Sequence, residues 1–224
     1  VCLVTRGPGA TNASAGIHIA MQDSTPLVML VGQVGREMMD REAFQEIDYR
    51  RMYGELTKWV AQIEDTSRIP EYISRAFHTA TSGRPGPVVL ALPEDMLTEY
   101  ADTKIINSYQ KIEAYPSPAD LAQVEEMLSK SKAPLMIVGG GGWDEASCQK
   151  IQDFAEKNHL PVGCSFRCQD YFDNRHPNYV GHIGIGLSTS LQDRIINSDL
   201  LVVIGARLGE VTTSGYSLLD IPRP

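Results

Sequence analysis

The sequence predicts an α/β protein made of two doubly wound parallel-sheet units. Short apolar runs recur along the chain and alternate with longer segments of helical periodicity, as expected for parallel strands covered by helices on both faces. Several of these runs end in glycine, where the ligand-binding loops of open α/β sheets begin. A polar stretch at residues 99–117 lacks apolar periodicity. It predicts a linker between a first domain at residues 1–98 and a second at 118–224.

The first unit opens on a predicted strand at residues 1–5 that stops at Gly7-Pro8-Gly9 and turns into a helix. Glycine permits a sharp turn with close backbone approach, and Pro8 fits the first helical turn, where its missing N–H costs nothing. Apolar runs and amphipathic periodicity define the remaining elements. We predict strands at 27–31, 59–63 and 87–93, helices at 10–21 and 66–80, the latter capped by Ser67, and a helical or irregular segment at 43–56.

The second unit repeats this alternation of strands and helices. Its apolar runs predict strands at 134–138, 160–164 and 200–205, and its amphipathic segments predict helices at 118–129, 145–158 and within 185–197. Four glycines at 139–142 follow its first strand, and residues 174–177 indicate a turn. These elements again describe a doubly wound sheet.

Composition restricts the possible functions. The chain has 224 residues and a formal net charge of −8, which argues against nucleic-acid and anionic-membrane partners. Because no apolar run reaches the length of a membrane span and no signal peptide is present, we expect a cytoplasmic protein. The four cysteines and five histidines lack metal-ligand spacing, which predicts reduced core thiols and no metal site.

The ends of the chain are unusual for a complete protein. It opens on Val1 rather than on methionine, already inside a predicted core strand, and stops at Pro224 in a proline-rich segment. Termini normally lie at exposed, loosely packed positions. We therefore expect a piece of a longer protein.

Four motifs fall in one order along the first unit. They are Gly7-Pro8-Gly9-Ala10-Thr11-Asn12, the run from Asp23 to Gln33, Ala43-Phe44-Gln45-Glu46, and the run from Ser82 to Val89. This series resembles the thiamine-diphosphate-dependent enzymes of the acetolactate synthase type, over the C-terminal half of their pyrimidine-binding domain. The second unit is similar to the central, Rossmann-like domain of the same enzymes. The resemblance implies carboligase or decarboxylase chemistry on a 2-oxo acid, in a homodimer or homotetramer.

The resemblance also implies one wall of a thiamine diphosphate site in the first unit. Gly7, Pro8 and Gly9 would let the backbone approach the pyrimidine ring of the cofactor, and Asn12 would either line the site or cap the helix. The family's glutamate that acts on the cofactor, and its Mg²⁺ and diphosphate ligands, belong to segments outside the match. We therefore expect no activity from this chain alone.

Phe44 and Gln45 match a family position on the substrate side of the cofactor and are the catalytic candidates. Gln45 would hydrogen-bond the bound intermediate, and Phe44 would shield it from water. The alternatives are a core aromatic at Phe44 and a solvent-facing helix residue at Gln45. Arg6 departs from the small residue usual before the Gly-Pro-Gly turn, which leaves the specific substrate open.

The second unit carries candidate nucleotide contacts near the ends of its predicted strands. They are Gly139, Gly140, Gly141, Arg167, Gly205 and Arg207. The corresponding places in acetolactate synthases bind FAD, but Arg167 suits a phosphate better than an isoalloxazine ring, and Ile185-Gly186 replaces the family's Met-His pair. FAD, a smaller ADP-like ligand and no ligand all stay open, and the last two are favoured.

Two other functions compete with this interpretation. A nicotinamide dehydrogenase would explain the glycine clusters, but the chain lacks a clear G-x-G-x-x-G and the acidic residue expected at the next strand end. The other alternative is a nucleotide-binding or subunit-assembly module without catalysis. An upstream glutamate motif and a downstream Gly-Asp-Gly segment in the same reading frame would reject that module.

Overall fold

The computed structural model describes residues 1–104, 106–107, 109–110 and 112–220. The chain divides into two compact units, Val1–Ala114 (unit 1) and Tyr115–Pro224 (unit 2). Each unit contains a four-stranded parallel sheet with interleaved helices. The predicted α/β fold class with two parallel-sheet units is confirmed.

Unit 1 places its strands in the spatial order β1-β2-β4-β3. Its elements are β1 (Cys2–Val4), α1 (Gly7–Gln22), β2 (Leu27–Gln33), α2 (Tyr49–Tyr53), β3 (Trp59–Gln62), α3 (Ile69–Thr81) and β4 (Pro87–Pro93). In the ladder, Leu3 lies opposite Leu30, and Val31 lies opposite Ala91. Because all four strands are parallel, the loops that follow them meet at one edge of the sheet, the carboxyl edge.

Successive side chains of the central strands fill two cores, one on each face of the sheet. Val89 and Ala91 of β4 pack with α1 and α2, together with Ala10, Ile17, Met29, Val31, Tyr49 and Tyr53. Val88 and Leu90 point to the other face and pack with α3, together with Val28, Ala61, Ile63, Ala76, Ala80 and Met96. Burial on both faces explains why these strands read as continuous apolar runs.

Local differences from the sequence prediction occur at helix starts. Helix α1 begins at Gly7, three residues before the predicted start, because Pro8 already adopts the first helical turn. The predicted Ser67 cap is wrong: the Asp65 carboxylate accepts from Ser67 N at 2.8 Å and caps a 3₁₀ turn that precedes α3. The ambiguous segment 43–56 contains only the five-residue helix α2.

Unit 2 has the strand order β7-β6-β5-β8. Its elements are α4 (Pro118–Lys130), β5 (Pro134–Val138), α5 (Glu145–Lys157), β6 (Val162–Ser165), β7 (Tyr179–Ile183), α6 (Thr189–Ile196) and β8 (Leu200–Ile204). The helices are capped by Ser117, Asp144 and Ser188, whose side chains accept from backbone N–H groups. The strand order reverses between β5 and β8, which is the switch point where doubly wound sheets open a crevice.

Strand β7 was missed by sequence reasoning. Its residues mix polar and apolar side chains, and Gly181 adopts a φ of +127°. A register shift at Val162/Gly163 accompanies this irregular backbone. Strand β7 is one of the two edge strands of the sheet, and its mixed residues lack the continuous apolar run by which the other strands are predicted.

Residues 99–117, predicted as a linker, contain no helix or strand in their described part, and residues 105, 108 and 111 lie outside it. Tyr109 nevertheless packs on α3, with its ring stacked 6.2 Å from that of Phe77 and edge-on 4.6 Å from that of His78. Residues 221–224 of the predicted second domain also lie outside the described part.

The four cysteines are all free, but only Cys164 and Cys168 are buried. Cys2 is exposed and Cys148 is half-buried, so the prediction of core thiols is correct for two of the four. Burial raises the pKa of the Cys164 thiol to about 12, which keeps it protonated and unreactive. Within the residues that the structure describes, no helix combines the length and apolar content needed to cross a membrane.

Two tyrosines fasten helix α2 to its neighbours. The hydroxyl of Tyr53, a fully buried residue, donates to the carbonyl of Ala10 in α1, and the Tyr49 hydroxyl donates to the carbonyl of Gly32 in β2 at 3.0 Å. Burial raises the pKa of Tyr53 to about 12, so the hydroxyl remains a donor across the physiological range.

We expect Tyr53→Phe to lower the free energy of unfolding by about 1 kcal/mol, because it removes a buried hydrogen bond while keeping the ring. Urea unfolding of the chain measures this change. Tyr100→Phe removes the hydroxyl of a fully exposed tyrosine (101% of its reference area) and is the matched control. Equal effects of the two substitutions would contradict a role for the Tyr53 hydroxyl.

Arg36 joins the loops that follow β2, β3 and β4. Its backbone N and Nε donate to the Asp95 carboxylate at 2.9 and 2.7 Å, and Nη1 donates to the Glu64 carbonyl at 2.5 Å. Nη2 pairs with Glu99, whose carboxylate also accepts from Thr66 Oγ1 at 2.7 Å. One guanidinium thereby fixes three loops at the carboxyl edge of the sheet.

This arrangement lowers the pKa of both carboxyl groups. Burial alone would raise the pKa of Asp95, but hydrogen bonds from the Arg36 side chain and backbone outweigh it and leave that pKa below its usual value. The pKa of Glu99 is lowered by the hydrogen bond from Thr66 and then by that from Arg36. Such carboxyl groups stabilise the fold above their unfolded pKa of about 4, and the contribution disappears as pH falls through the folded values.

We expect Arg36→Ala to be less stable than the wild type at neutral pH, with the difference narrowing as pH falls from about 5 to about 2. Urea midpoints across a pH series test this. Arg51→Ala removes one cation from an exposed ion pair with Asp48 and is the charge-matched control. If the stability difference between Arg36→Ala and the wild type stays constant over the pH range, the lowered pKa values of Asp95 and Glu99 do not depend on Arg36.

Candidate functional site

The candidate site of unit 1 lies at the carboxyl edge of its sheet, where the Gly7-Pro8-Gly9 turn meets a loop at residues 39–48, here called the Phe44 loop. Gly7 N donates to the carbonyl of Gln45 at 3.0 Å. A Cβ at Gly7 would stand 2.9 Å from that oxygen and 3.2 Å from Ile47 Cδ1. Glycine is therefore required at position 7 by the close approach of the Phe44 loop.

The Phe44 loop is closed from inside by Glu46. Its carboxylate accepts from Asp40 N at 2.7 Å and from Ala43 N at 3.0 Å. Asp40, Glu42 and Gln45 all have left-handed φ values of +62°, +56° and +66°. Non-glycine residues rarely adopt this conformation, and such strain clusters at functional sites.

Three side chains tie the Phe44 loop to the sheet below it. Gln33, which is 1% exposed at the end of β2, donates from Nε2 to the carbonyl of Ile47 at 2.9 Å. Tyr49, just after the loop, bonds Gly32 as described above. Arg6 Nη1 donates to the carbonyl of Phe44 at 3.3 Å. Hydrogen bonds from these three side chains thus hold the strained loop and the residue that follows it against the sheet.

Phe44 and Gln45 occupy the outer turn of this loop. Phe44 is 79% exposed, so the alternative of a core aromatic is wrong. Gln45 is half-buried and lies in irregular backbone, so the alternative of a helix residue is also wrong. Among the described residues, the Gln45 side-chain amide makes no hydrogen bond. The structure thus presents an exposed aromatic ring next to an amide that is available to a ligand.

The remaining predicted residues of this wall lie at the start of α1. Pro8 is exposed, and Gly9 packs against Thr5, since a Cβ at Gly9 would stand 2.9 Å from Thr5 Cγ2. Asn12 is exposed inside the helix, and the N-cap position belongs to Arg6, so Asn12 does not cap α1. No side chain caps this helix, and no acidic residue occupies its first turn.

In unit 2 the predicted nucleotide-binding glycines pack closely against neighbouring backbone and side chains at the switch point between β5 and β8. A Cβ at Gly139 would stand 1.9 Å from Ser165 Oγ, and one at Gly140 would stand 2.0 Å from the carbonyl oxygen of Gly205. A Cβ at Gly205 would stand 2.4 Å from the Gly139 carbonyl oxygen. These three glycines are required by the packing of the chain on itself, whereas a Cβ at Gly141 would meet open space.

The two predicted arginines of this region are both exposed. Arg167 has a φ of +63°, and its guanidinium carbon lies 5.1 Å from the centroid of the Phe166 ring. Arg207 follows Gly205 and Ala206 at the end of β8. Both side chains are therefore accessible to solvent.

His182 organises the segment around Ile185. The Gln169 side-chain amide lies 3.0 Å from His182 Nδ1, and His182 Nε2 lies 3.0 Å from the Ile185 carbonyl oxygen. Because a carbonyl only accepts, Nε2 carries the proton and Nδ1 accepts from Gln169. This network leaves the Ile185 side chain 72% exposed.

A cavity of about 280 Å³ beside β8 contains none of the predicted site residues. Its lining is mainly apolar, with Leu201, Val203 and Leu208 among the contributors. Its Asp199 carboxylate accepts from the backbone N–H groups of Lys132 and Ala133 at 2.7 and 3.0 Å, so this group is already engaged. The cavity therefore adds no chemistry to the candidate site.

Sequence reasoning missed the residues that support the Phe44 loop. Gln33 lies beyond the predicted strand at 27–31 and has no predicted role, although a polar side chain at the end of an apolar parallel strand is the signal that identifies it. Glu46 belongs to one of the four motifs but received no role. Arg6 was noted only as an unusual residue, and nothing in the sequence indicates its distant partners.

Two family models match the chain. The model described as "Thiamine pyrophosphate enzyme, N-terminal TPP binding domain" matches residues 1–52, which include the Gly-Pro-Gly turn and the Phe44 loop. The model described as "Thiamine pyrophosphate enzyme, central domain" matches residues 121–224, most of unit 2. The resemblance drawn from the four motifs is confirmed.

Curated relatives give the same result. The chain is 30% identical over 213 residues to the acetolactate synthase isozyme 2 large subunit of Escherichia coli K12, covering 95% of this chain and 39% of that protein. It is 33% identical over 218 residues to the acetolactate synthase large subunit of Corynebacterium glutamicum, covering 95% and 35%. It is 33% identical over 224 residues to the isozyme 3 large subunit of Escherichia coli K12, covering 97% and 39%.

The chain thus spans less than two fifths of the length of each of these relatives. Both family models are matched in order along the two α/β units. On these grounds the chain belongs to the thiamine pyrophosphate enzyme family, with part of an N-terminal cofactor-binding domain followed by a central domain.

Proposed function

We propose that this chain contributes one wall of the active site to a thiamine-diphosphate-dependent enzyme acting on a 2-oxo acid, as an acetolactate-synthase-like carboligase or decarboxylase. The single observation that carries this proposal is the hydrogen bond from Gly7 N to the Gln45 carbonyl. It brings the Gly-Pro-Gly turn and the Phe44–Gln45 pair together at the carboxyl edge of one parallel sheet, where ligands of such sheets bind.

The residues at this wall fit the flat pyrimidine ring of the cofactor. The Cβ positions of Gly7 and Gly9 are filled by the Phe44 loop and by Thr5, so the exposed Pro8 provides the apolar surface of this turn that a ring could contact. The first turn of α1 has no acidic residue. Gly7, Pro8 and Gly9 would hold the ring by backbone contact, with Asn12 one turn further along the helix. Thiamine diphosphate, when bound with Mg²⁺, supplies an electron sink for cleaving the bond between a carbonyl carbon and a carboxylate.

Phe44 and Gln45 would act on the substrate side of this wall. The Gln45 amide donates an N–H to an oxygen of the 2-oxo acid and orients it. Phe44 covers the reacting carbon and excludes water, which its exposed ring is placed to do. Neither side chain titrates, so this wall orients and shields the substrate while proton transfer falls to groups elsewhere.

The assembly that we propose is a homodimer or homotetramer in which Pro8 and Gln45 lie at a subunit interface. The exposure of large apolar side chains in unit 1 supports this, with Phe44 at 79%, Leu3 at 72% and Ile19 at 54%. These side chains are available to be buried against further protein.

The test uses the complete protein that contains these residues, assayed for CO₂ release from pyruvate with thiamine diphosphate and Mg²⁺. We expect activity in the complete protein and none in the 224-residue chain. Gln45→Ala should lower kcat/KM at least about tenfold, because one positioned hydrogen bond to the reacting oxygens is lost.

Gln149→Ala is the matched control, since Gln149 is an exposed glutamine of α5 that bonds Asp153 at 2.7 Å. Full activity of Gln45→Ala would show that Gln45 has no role in the site. A complete protein that releases no CO₂ from pyruvate or other 2-oxo acids would overturn the proposed function and favour a non-catalytic assembly module.

The surroundings of Arg167 generate a separate expectation for unit 2. Arg167 is exposed with its guanidinium over the Phe166 ring, and the space beside Gly139, Gly140 and Gly205 is filled by the packing of the chain on itself. Neither feature offers an enclosed slot for an isoalloxazine ring. We expect the complete protein to show no visible flavin absorption, either as purified or after incubation with FAD and gel filtration. A stoichiometric flavin band that survives gel filtration would contradict this. An ADP-like ligand stays compatible with the open space at Gly141.

A further inference from the structure

Arg6 stands between the Gly-Pro-Gly turn and the Phe44 loop. It follows β1, occupies the N-cap position of α1, and makes no side-chain cap bond. Its guanidinium uses both outer nitrogens: Nη1 donates to the Phe44 carbonyl at 3.3 Å, and Nη2 forms an ion pair with Glu94. The side chain is 23% exposed, so it lies under the loop rather than in open solvent.

Glu94 gives this guanidinium a fixed anchor. It directly follows β4, and its backbone N donates to the carbonyl of Gln33, the last residue of β2, at 3.1 Å. The stem of Arg6 crosses the sheet edge beside Gly32, where an added Cβ would stand 3.7 Å from Arg6 Cγ. The cation is therefore held between the carboxyl ends of β1, β2 and β4, which are rigid elements.

The contact with Phe44 directly precedes Gln45, one of the three left-handed residues of the loop. Gln45 has a φ of +66°, and its carbonyl is already taken by Gly7 N. Arg6 holds the preceding carbonyl, so both peptide groups that flank Gln45 are fixed. Fixing the two peptides fixes the direction of the Gln45 Cα–Cβ bond, and hence where its amide can reach.

An ordinary surface ion pair does not account for this arrangement. Glu94 is 51% exposed, and exposed pairs contribute little to global stability. A lysine would supply the same charge, but only the planar fork of arginine reaches a carboxylate and a carbonyl in fixed geometry. Because both outer nitrogens of its guanidinium are engaged by Phe44 and Glu94, Arg6 is committed to the loop rather than to the carboxylate of a 2-oxo acid.

We infer that Arg6, anchored by Glu94, is a positioning residue that holds Phe44 and Gln45 in the orientation in which they meet the substrate. The inference rests on the proposed role of Gln45. Arg6 acts through the loop and touches neither substrate nor cofactor, and Glu94 acts through Arg6.

If Glu94 acts only through Arg6, its removal has no further effect on the loop once Arg6 is absent. A double-mutant cycle on the 224-residue chain tests this expectation. Amide hydrogen exchange is measured in peptides covering the Phe44 loop and Gly7. We expect Arg6→Ala to speed exchange about tenfold, Glu94→Ala to speed it less, and the double variant to match Arg6→Ala alone. Arg6→Lys, which keeps the pair with Glu94 but not the fork, should fall between the wild type and Arg6→Ala.

The urea midpoint separates positioning from simple support of the fold. We expect it to stay near the wild-type value in Arg6→Lys and Glu94→Ala even while loop exchange rises. Arg84→Ala is the control: Arg84 Nη2 also donates to a carbonyl, that of Met21 at 2.7 Å, but far from the loop in sequence and contacts. Unchanged loop exchange in Arg6→Ala, or additive effects in the double variant, would overturn the inference.

Kinetics of the complete protein with pyruvate, thiamine diphosphate and Mg²⁺ give the second readout. Arg6→Ala should lower kcat about tenfold with KM changed less than about twofold, because the orientation of Gln45 is lost while the binding surface remains. A rise in KM at constant kcat would instead make Arg6 a substrate contact and overturn the inference. The exchange experiment needs no cofactor, so an inactive complete protein would refute the proposed function without removing the evidence on the loop.

Discussion

The hydrogen bond between the Gly7 amide and the Gln45 carbonyl is the contact on which the carboxyl edge of unit 1 depends. It demands a residue without a side chain at position 7, since a Cβ there would meet the Gln45 oxygen at 2.9 Å. It also brings together two segments that are 38 residues apart in sequence. Once this contact forms, the Phe44 loop lies against the start of α1, and Phe44 is directed outward.

The strain of the Phe44 loop is offset by contacts on every side of it. Three left-handed non-glycine residues within six positions would make an isolated loop prefer other conformations. Here Glu46 closes the loop from inside, while Gln33 and Arg6 bond its carbonyls from below. Backbone strain persists only where the surroundings over-determine it, and such loops hold side chains in place before a ligand arrives.

Unit 2 uses glycine for a different purpose. Gly139, Gly140 and Gly205 pack against one another where β5 and β8 end, so the two strand ends approach more closely than any side chain would allow. A glycine cluster after a strand is therefore an ambiguous sign of a nucleotide site. In this unit packing explains Gly139, Gly140 and Gly205, whereas a Cβ at Gly141 or Gly142 would meet open space.

The sequence by itself determined the fold class and seven of the eight strands, because apolar periodicity and turn chemistry are local properties. The family followed from the resemblance of four motifs in one order, which include the Gly-Pro-Gly turn and the Phe44–Gln45 pair. Strand β7 was missed because its mixed polar and apolar residues, with Gly181 in the middle, carry no such pattern. Only the tertiary structure decided that Phe44 is exposed and that Arg6 reaches both Phe44 and Glu94. These facts depend on contacts across 38 and 88 positions, which the local pattern of the chain does not encode.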